Sequence, residues 1–476
     1  MNPEFQRNLW LNLSAGRLVI MPVTLGAVFV ALALLPEQAR TEAVQGAAQL
    51  GYWLLVIVWG TWLSARAVIT EIRERTWDGQ RMSAIAPWTM VWGKLFGAPI
   101  YAWYGGVFCL LVILADSLGR AGPGETLLTL GYYLLLGVFA HAVALLASLL
   151  AVRRRLHQAN LGVFLYQLFG IVAAALVASL WPANWLTIPQ TPLPWYGLQI
   201  PPAPFALASI AAFVLWAIIG NYRLMRQELQ FTYAPWVWIG FMVFLMGYAA
   251  GFVDIVVAAL TQAGLAEPAA GGWQQPLGRG TLHLLIATGV AALLAYLMLF
   301  SDSKDTVNLR WISQRLRAGA LFAALSRLPS WGWAVLAASV GTVILLALGQ
   351  PLRFDPAMLS GPAVDTDAFG LADGVLEWQA LMLAGLFFLL RDTAIVLAFN
   401  ISAGTQRADV AAFITLLLLY FFLPVIVLGT NSHGLQPFFW PSLQQAPWLA
   451  TLPPLAEAVI AWGIVGLRLR RLAAVR

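Results

Sequence analysis

The chain has one cysteine and four histidines in 476 residues. Cys109 stands alone inside an apolar run, which leaves no intrachain disulfide framework and no thiolate metal site. His157 falls in a connecting turn, His283 opens an apolar run and His433 lies in a loop, so no H-E-x-x-H or comparable ligand spacing exists. Charge is scarce as well, at 10% of residues against 61% hydrophobic. The pattern G-x-x-x-x-G-K-[ST] is missing. Its nearest approach, Gly93-Lys94-Leu95, lacks both the upstream glycine and the hydroxyl residue that would meet magnesium. The start, Asn2 to Arg17, lacks the basic, apolar, small-residue order of a cleavable signal peptide and reads as part of the mature protein.

What the sequence has is apolar length. Twelve stretches reach the roughly 20 residues needed for a helical crossing: 18–36, 51–69, 95–115, 127–152, 160–180, 204–222, 236–260, 282–300, 331–349, 378–402, 409–428 and 448–467. Barrel strands of about ten alternating residues do not occur, and backbone groups in lipid must be satisfied within each segment, so these runs are expected to be helices. The expectation is an all-α polytopic membrane protein of about twelve transmembrane helices. Basic residues fall in alternate connections. With the N-terminus in the cytoplasm, 22 of the 27 Lys and Arg lie on that side, which implies that both termini are cytoplasmic. Arg40, Arg120, Arg279 and Arg353 fall outside, and Arg391 lies within a span. The 22 Trp, many near the proposed interfaces, suit an aromatic belt. The net charge of +6 is spread over many cytoplasmic segments, whereas nucleic-acid binding needs a clustered basic face.

Six spans followed by six suggest an internal duplication, and several landmarks recur. Gly197-Leu198-Gln199-Ile200-Pro201 between spans five and six has a counterpart in Gly434-Leu435-Gln436-Pro437 between eleven and twelve. Ile219-Gly220 followed by Arg223 and Arg226 matches Val465-Gly466 followed by Arg468, Arg470 and Arg471. Gln158-Ala159-Asn160 opens the fifth span as Arg407-Ala408-Asp409 opens the eleventh. An even number of spans per half makes the repeats parallel. The expected division is 1–17 as an interfacial amphipathic elbow helix, 18–226 as the first six-helix module and 227–476 as the second.

Two cytoplasmic connections, Thr70 to Lys94 and Ser301 to Ser330, are far longer than the 2 to 8 residues that usually join neighbouring helices. The first carries Glu71, Arg73, Glu74, Arg75, Asp78 and Arg81, with Glu71 and Arg75 spaced for one i,i+4 pair on a charged helical face. Met82 and Ile85, before Pro87, offer a short apolar contact. At the N-terminus Asn2 is placed to cap, Pro3 suits the first helical position, and Phe5, Leu9 and Leu13 make one apolar stripe beside Trp10.

In these residues the chain resembles the membrane subunits of type-2 ABC exporters. Their pattern after the second span is an acidic-basic cluster, then Gly-Thr-Leu-Glu or similar, a Pro, and Gly-Lys before the third span. Glu71, Arg73, Glu74, Thr76, Asp78, Pro87, Gly93 and Lys94 follow that order; Arg75 replaces the customary Gly and Pro87 falls about three residues late. The resemblance implies an export permease, not itself an enzyme, in the bacterial inner membrane. It also implies a separate ATP-binding-cassette ATPase, in two copies, which would carry ATP and magnesium, so this chain would hold no cofactor. Glu71, Arg73, Glu74, Arg75, Asp78 and Arg81 would then be coupling residues. A solvated juxtamembrane helix is the plainer reading of the same stretch.

In the second half, Leu309, Ile312 and Leu316 share one face, with Arg310, Gln314, Arg315 and Arg317 elsewhere. This suits either an amphipathic helix on the inner membrane surface or a second coupling element through Arg310 and Arg315. Ionisable groups inside spans are costly and usually face a cavity or a partner. Arg391 and Asp392 sit near the middle of the tenth span and His141 at the matching depth of the fourth, which makes all three translocation-path candidates. Adjacent helical residues point about 100° apart, so Arg391 and Asp392 should satisfy each other poorly and need partners such as Asp254, Glu457 or His141. A structural interhelix pair remains open beside the path role. The acidic loop 350–378 has no EF-hand spacing, and a solvated loop is its simpler reading.

Two other classes share some of these features. A twelve-helix secondary transporter has the same two-half layout. However, the link from Asn221 to Pro235 is short, and a 25-residue charged segment replaces the tight turn of that class after span two. A membrane glycosyltransferase would place acidic residues in its first external loop, where Glu37 and Glu42 lie, but two Glu in a polar loop are an ordinary surface. No feature names a substrate.

Overall fold

The computed structural model describes residues 2–83, 85–153, 162–179, 192–229, 231, 235–262, 276–302, 304–348, 378–401, 408–430, 433–440 and 448–474. His157, Gln158-Ala159-Asn160, Arg407, most of the loop expected at 350–378, and residues 180–191 and 441–447 lie outside them. The chain forms two compact units. The first comprises Met1–Leu193 with Ile200–Tyr233, and the second Pro194–Gln199 with Ala234–Arg476.

In the first unit, α1 (Pro3–Asn12) is a short helix capped by Asn2, whose Oδ1 accepts from the amides of Glu4 at 3.0 Å and Phe5 at 3.1 Å. The apolar runs follow as α2 (Ala15–Ala33), then α3 (Glu37–Tyr52) and α4 (Gly60–Arg73) joined by a π-helical run (Trp53–Trp59). Two short helices, α5 (Trp77–Met82) and α6 (Pro87–Trp92), lead through a second π-helical run (Gly93–Gly97) into α7 (Ile100–Ala121). Gly122, at φ +85°, turns the chain into α8 (Pro123–Arg153), followed by α9 (Gly162–Ser179) and α10 (Pro202–Glu228).

The second unit opens with α11 (Trp236–Ala250) and α12 (Val253–Gln262), and continues with α13 (Pro276–Ser301), α14 (Thr306–Arg317), α15 (Leu321–Ser326) and α16 (Ser330–Leu348). It ends with α17 (Trp378–Ile401), α18 (Ala408–Leu417), a π-helical run (Leu418–Phe422), α19 (Leu423–Gly429), a 3-10 segment (His433–Phe438) and α20 (Leu452–Ala474).

Among the described residues, eleven helices are long and apolar enough to cross a membrane. Together with the almost complete absence of sheet, this makes the chain an all-α polytopic membrane protein. The side chains agree: on α2, Val19, Val23 and Val30 are each 62% exposed, an apolar surface of the kind a bilayer covers. The seventh expected crossing, 236–260, is broken. α11 stops at Ala250 and α12 begins at Val253 because a β-hairpin, Leu193–Trp195 and Leu198–Ile200, docks its tip there. Tyr196 and Gly197 both have positive φ, the signature of a type I′ turn. The Tyr196 amide donates to Gly251 O at 3.0 Å, its hydroxyl to Gly247 O at 2.6 Å, and Trp195 Nε1 to Tyr248 O at 3.3 Å. The hairpin thereby satisfies Tyr248 O and Gly251 O at the break, and His283 Nδ1 meets Ala250 O at 2.6 Å, as lipid burial demands.

One helix is the hub of each unit. α8 packs against α4, α7, α9 and α10, with α3 against α7. α17 packs against α13, α16, α18 and α20, with α13 against α16. The fourth long helix of each set thus touches the second, third, fifth and sixth.

Candidate functional site

The densest polar cluster of the first unit lies where α1, α4, α5 and the Gly93–Gly97 run meet. Lys94, 1% exposed, reaches Glu4 Oε1 at 3.2 Å, the Glu71 carboxylate, and Gln80 Oε1 at 3.3 Å. Arg7 donates to Glu4 at 2.9 Å and also to Glu71, while Gln80 Nε2 donates to Glu71 at 2.9 Å. The Lys94 ammonium lies 5.4 Å from the centre of the Trp77 ring. Close approach makes this geometry available: Gly93 and Gly97 form a small-xxx-small face on which a Cβ would strike Glu4 and Asn8, so α1 rests on bare backbone. Two carboxylates facing Lys94 and Arg7 balance the buried charge.

This corrects the expected charged face. Glu71 is buried and pairs with Lys94 and Arg7, not with Arg75, because α4 ends at Arg73 and turns away. Arg75 sits at φ +59° in a Schellman turn, with Thr76 N donating to Glu71 O at 2.9 Å and Arg75 N to Ile72 O at 3.1 Å. Arg73, Glu74, Arg75 and Asp78 are exposed, and Arg81, partly buried, lies 3.8 Å from Asp78. Met82 is 83% exposed.

The second long connection forms α14, capped by Asp305, which accepts from Val307 N at 2.9 Å. Its expected apolar face divides: Ile312 is buried and Leu309 partly so, whereas Leu316 is exposed along with Leu321 and Phe322 of α15. Arg315 is exposed and lies over Trp311 at 5.2 Å, as does Arg327 at 4.5 Å; Arg310 is half-buried. Lys304 is tied to Asp409 at 2.6 Å.

Within the second unit, Arg391 and Asp392 form the core of a buried polar centre. They do pair, through Arg391 Nε and Asp392 Oδ1 at 2.9 Å, because the long arginine stem folds back along its own helix. Arg391 Nη1 also donates to Glu457 Oε2 at 2.7 Å and to Phe438 O at 3.0 Å. Asp392 Oδ2 accepts from the hydroxyls of Tyr296 at 2.7 Å and Tyr420 at 2.6 Å. Of the partners expected for this pair, Glu457 is present, whereas Asp254 lies 3.7 Å from Arg279. His141 belongs to the first unit and is fully buried. Its Nε2–H donates to Val56 O at 2.7 Å, a carbonyl of the Trp53–Trp59 π-helical run, while Gln167 Nε2 donates to Val58 O at 2.9 Å. Gly60 leaves room for the imidazole where a Cβ would strike it. The structure gives His141 the task of closing a widened helical turn.

The chain matches no family model, no curated protein and no solved structure. The site therefore has to be judged on its own geometry. Among the described residues, no three His, Cys, Asp or Glu side chains are grouped to hold a metal ion. Reading the sequence missed Glu4, Arg7 and Gln80 in the first cluster, and Tyr296 and Tyr420 in the second. The available signal was the charge of Glu4 and Lys94 beside apolar runs, since such groups rarely stay unpaired.

Proposed function

We propose that this chain is the membrane permease of an ATP-binding-cassette exporter, driven by a separate ATPase that docks on the exposed turn Arg73–Asp78 and on α5. The observation that carries this reading is the joining of that turn to the helices behind it. A push on α5 passes through Gln80 and Glu71 to Lys94, and so to α7, with α1 held in the same block by Glu4 and Arg7. A handle that is charged outside and fixed inside is what an external engine needs, whereas a merely solvated helix has no need of a buried anchor. α14 and α15 supply the second handle, with Arg315 and Phe322 exposed. Transport is then a population shift, with the ATPase making different contacts to the handles in each access state. The protein would sit in the bacterial inner membrane with both termini in the cytoplasm and two ATPase subunits beneath it, and ATP and magnesium would be bound there and not here.

The test is purification of the full chain in mild detergent and identification of what accompanies it. A stoichiometric ATPase is expected. Glu74→Lys with Asp78→Lys should lower ATPase activity in the reconstituted complex about tenfold, the equivalent of 1.4 kcal/mol of lost coupling, with an unchanged unfolding temperature. Isolation of the chain without any nucleotide-hydrolysing partner, or full activity in the double variant, overturns the reading.

One observation favours a second reading, an ion-coupled transporter. Among the described residues the centre holds two carboxylates, buried Asp392 and the 27% exposed Glu457, against the single cation Arg391. An unbalanced carboxylate in a membrane helix is a place for a proton. Flux driven by a proton gradient alone, and lost in Glu457→Gln, would select that reading.

A further inference from the structure

The first unit carries a groove of about 570 Å³ whose walls are almost wholly apolar. Asn2 and Phe5 at the start of the chain, Trp92, Phe96, Ile100 and Trp103 around the entry to α7, and Leu134 and Val138 of α8 line it. From Trp92 to Trp103 the path runs through the Gly93–Gly97 π-helical run and the first turn of α7 and covers at most about 16 Å, the α-helical rise of 1.5 Å per residue being its upper bound. That is the hydrocarbon depth of one leaflet, half of a core about 30 Å thick.

The aromatic residues at the α1 end continue past the groove and finish on a cation. Phe96 stacks on Trp92 at 4.4 Å, Trp92 meets Trp88 edge-on at 5.7 Å, and Trp88 meets Tyr222 at 5.6 Å. The guanidinium of Arg226 lies 5.8 Å from the Tyr222 ring. Trp88 and Trp92 are 44% and 39% exposed, as rings at a headgroup boundary are. An apolar slot of leaflet depth with a basic group beyond its interfacial rings matches a lipid.

We propose that this groove is a binding site for one anionic phospholipid, its acyl chain along Phe96, Ile100 and Val138 and its headgroup toward Arg226. The site stands apart from the exporter reading, because it needs neither the ATPase nor the exposed turn. Its chemistry is that of an amphiphile: Trp and Tyr at the boundary, hydrocarbon inside, and one basic group outside.

Native mass spectrometry of the full chain in mild detergent, with phosphatidylglycerol and phosphatidylcholine supplied in equal amounts, tests it. The wild type should retain phosphatidylglycerol in preference. Val138→Trp, which fills the groove from α8, should retain one lipid fewer, and Ile100→Phe, a smaller change in the same groove, should show the same loss while keeping the wild-type unfolding temperature. Leu215→Trp, at an exposed position of α10, should retain the wild-type number. Arg226→Gln should keep the lipid but reduce the preference for phosphatidylglycerol about fivefold, the factor expected of one cation near a membrane surface. Equal retention in wild type and both groove variants overturns the proposal, as does a preference that Arg226→Gln leaves unchanged. A groove variant that instead changes the number of chains per particle would assign the groove to a second copy and also overturn it.

Discussion

At the scale of single residues, backbone conformation and a lone hydrogen bond make sharper statements than burial does. Arg75 holds a left-handed φ of +59° at the end of α4, where a side chain is strained and glycine is not. Arg75→Gly is therefore expected to raise stability by about 0.5–1 kcal/mol, the local relief exceeding the entropy glycine adds to the unfolded chain. Thermal unfolding in detergent measures it, and a lowered midpoint would show that the arginine side chain matters more than its backbone. His141 is the opposite case, a residue whose side chain supplies a single donor. With Val56 O as its acceptor, His141→Leu should cost about 1–3 kcal/mol by leaving a buried carbonyl unmatched, and His141→Gln, which keeps a donor, should cost less. Equal losses in the two variants would remove the hydrogen bond from the account.

At the scale of elements, the cluster around Lys94 decides whether α1, α4, α5 and the start of α7 behave as separate pieces. Lys94→Met leaves Glu4 and Glu71 facing each other with only Arg7, itself 41% exposed, beside them, so about 3–5 kcal/mol of stability should be lost. Adding Glu71→Gln to Lys94→Met should recover part of that loss, because it removes the charge left unpaired. A double variant no better than the single would mean that packing, not charge, holds the elements together. The helices themselves were legible in the sequence, since twenty-residue apolar runs have one structural outcome in lipid and the cap at Asn2 follows from the Asn-Pro order. The cluster was not, because its members lie 23 and 90 positions apart and local spacing pairs Glu71 with Arg75 instead. The break in the seventh crossing was equally hidden. Gly251 is unremarkable until Trp195 and Tyr196, more than fifty positions earlier, arrive to use the carbonyls beside it.

At the scale of the whole chain, α8 and α17 are the hub helices, each touching the second, third, fifth and sixth long helix of its own unit. What the halves do not share is charge at the hub. α8 carries His141, bonded to Val56 O, and α17 carries Arg391 and Asp392 with Glu457 in reach. The sequence indicated that these groups needed partners but not which, because tyrosine hydroxyls on α13 and in the Leu418–Phe422 run give no signal against an apolar background. The difference predicts separable failures. Arg391→Gln leaves two carboxylates without a cation and should cost about 3–5 kcal/mol in the second unit, whereas Glu457→Gln leaves Arg391 and Asp392 balanced and should stay within about 1 kcal/mol of the wild type. Limited proteolysis then reads out the location: Lys94→Met should open early cleavage sites between α1 and α10, and Arg391→Gln between α11 and α20. Identical first cuts in the two variants would mean that the units melt as one body, and a Glu457→Gln chain as unstable as Arg391→Gln would mean that the extra carboxylate is matched by a charge other than Arg391.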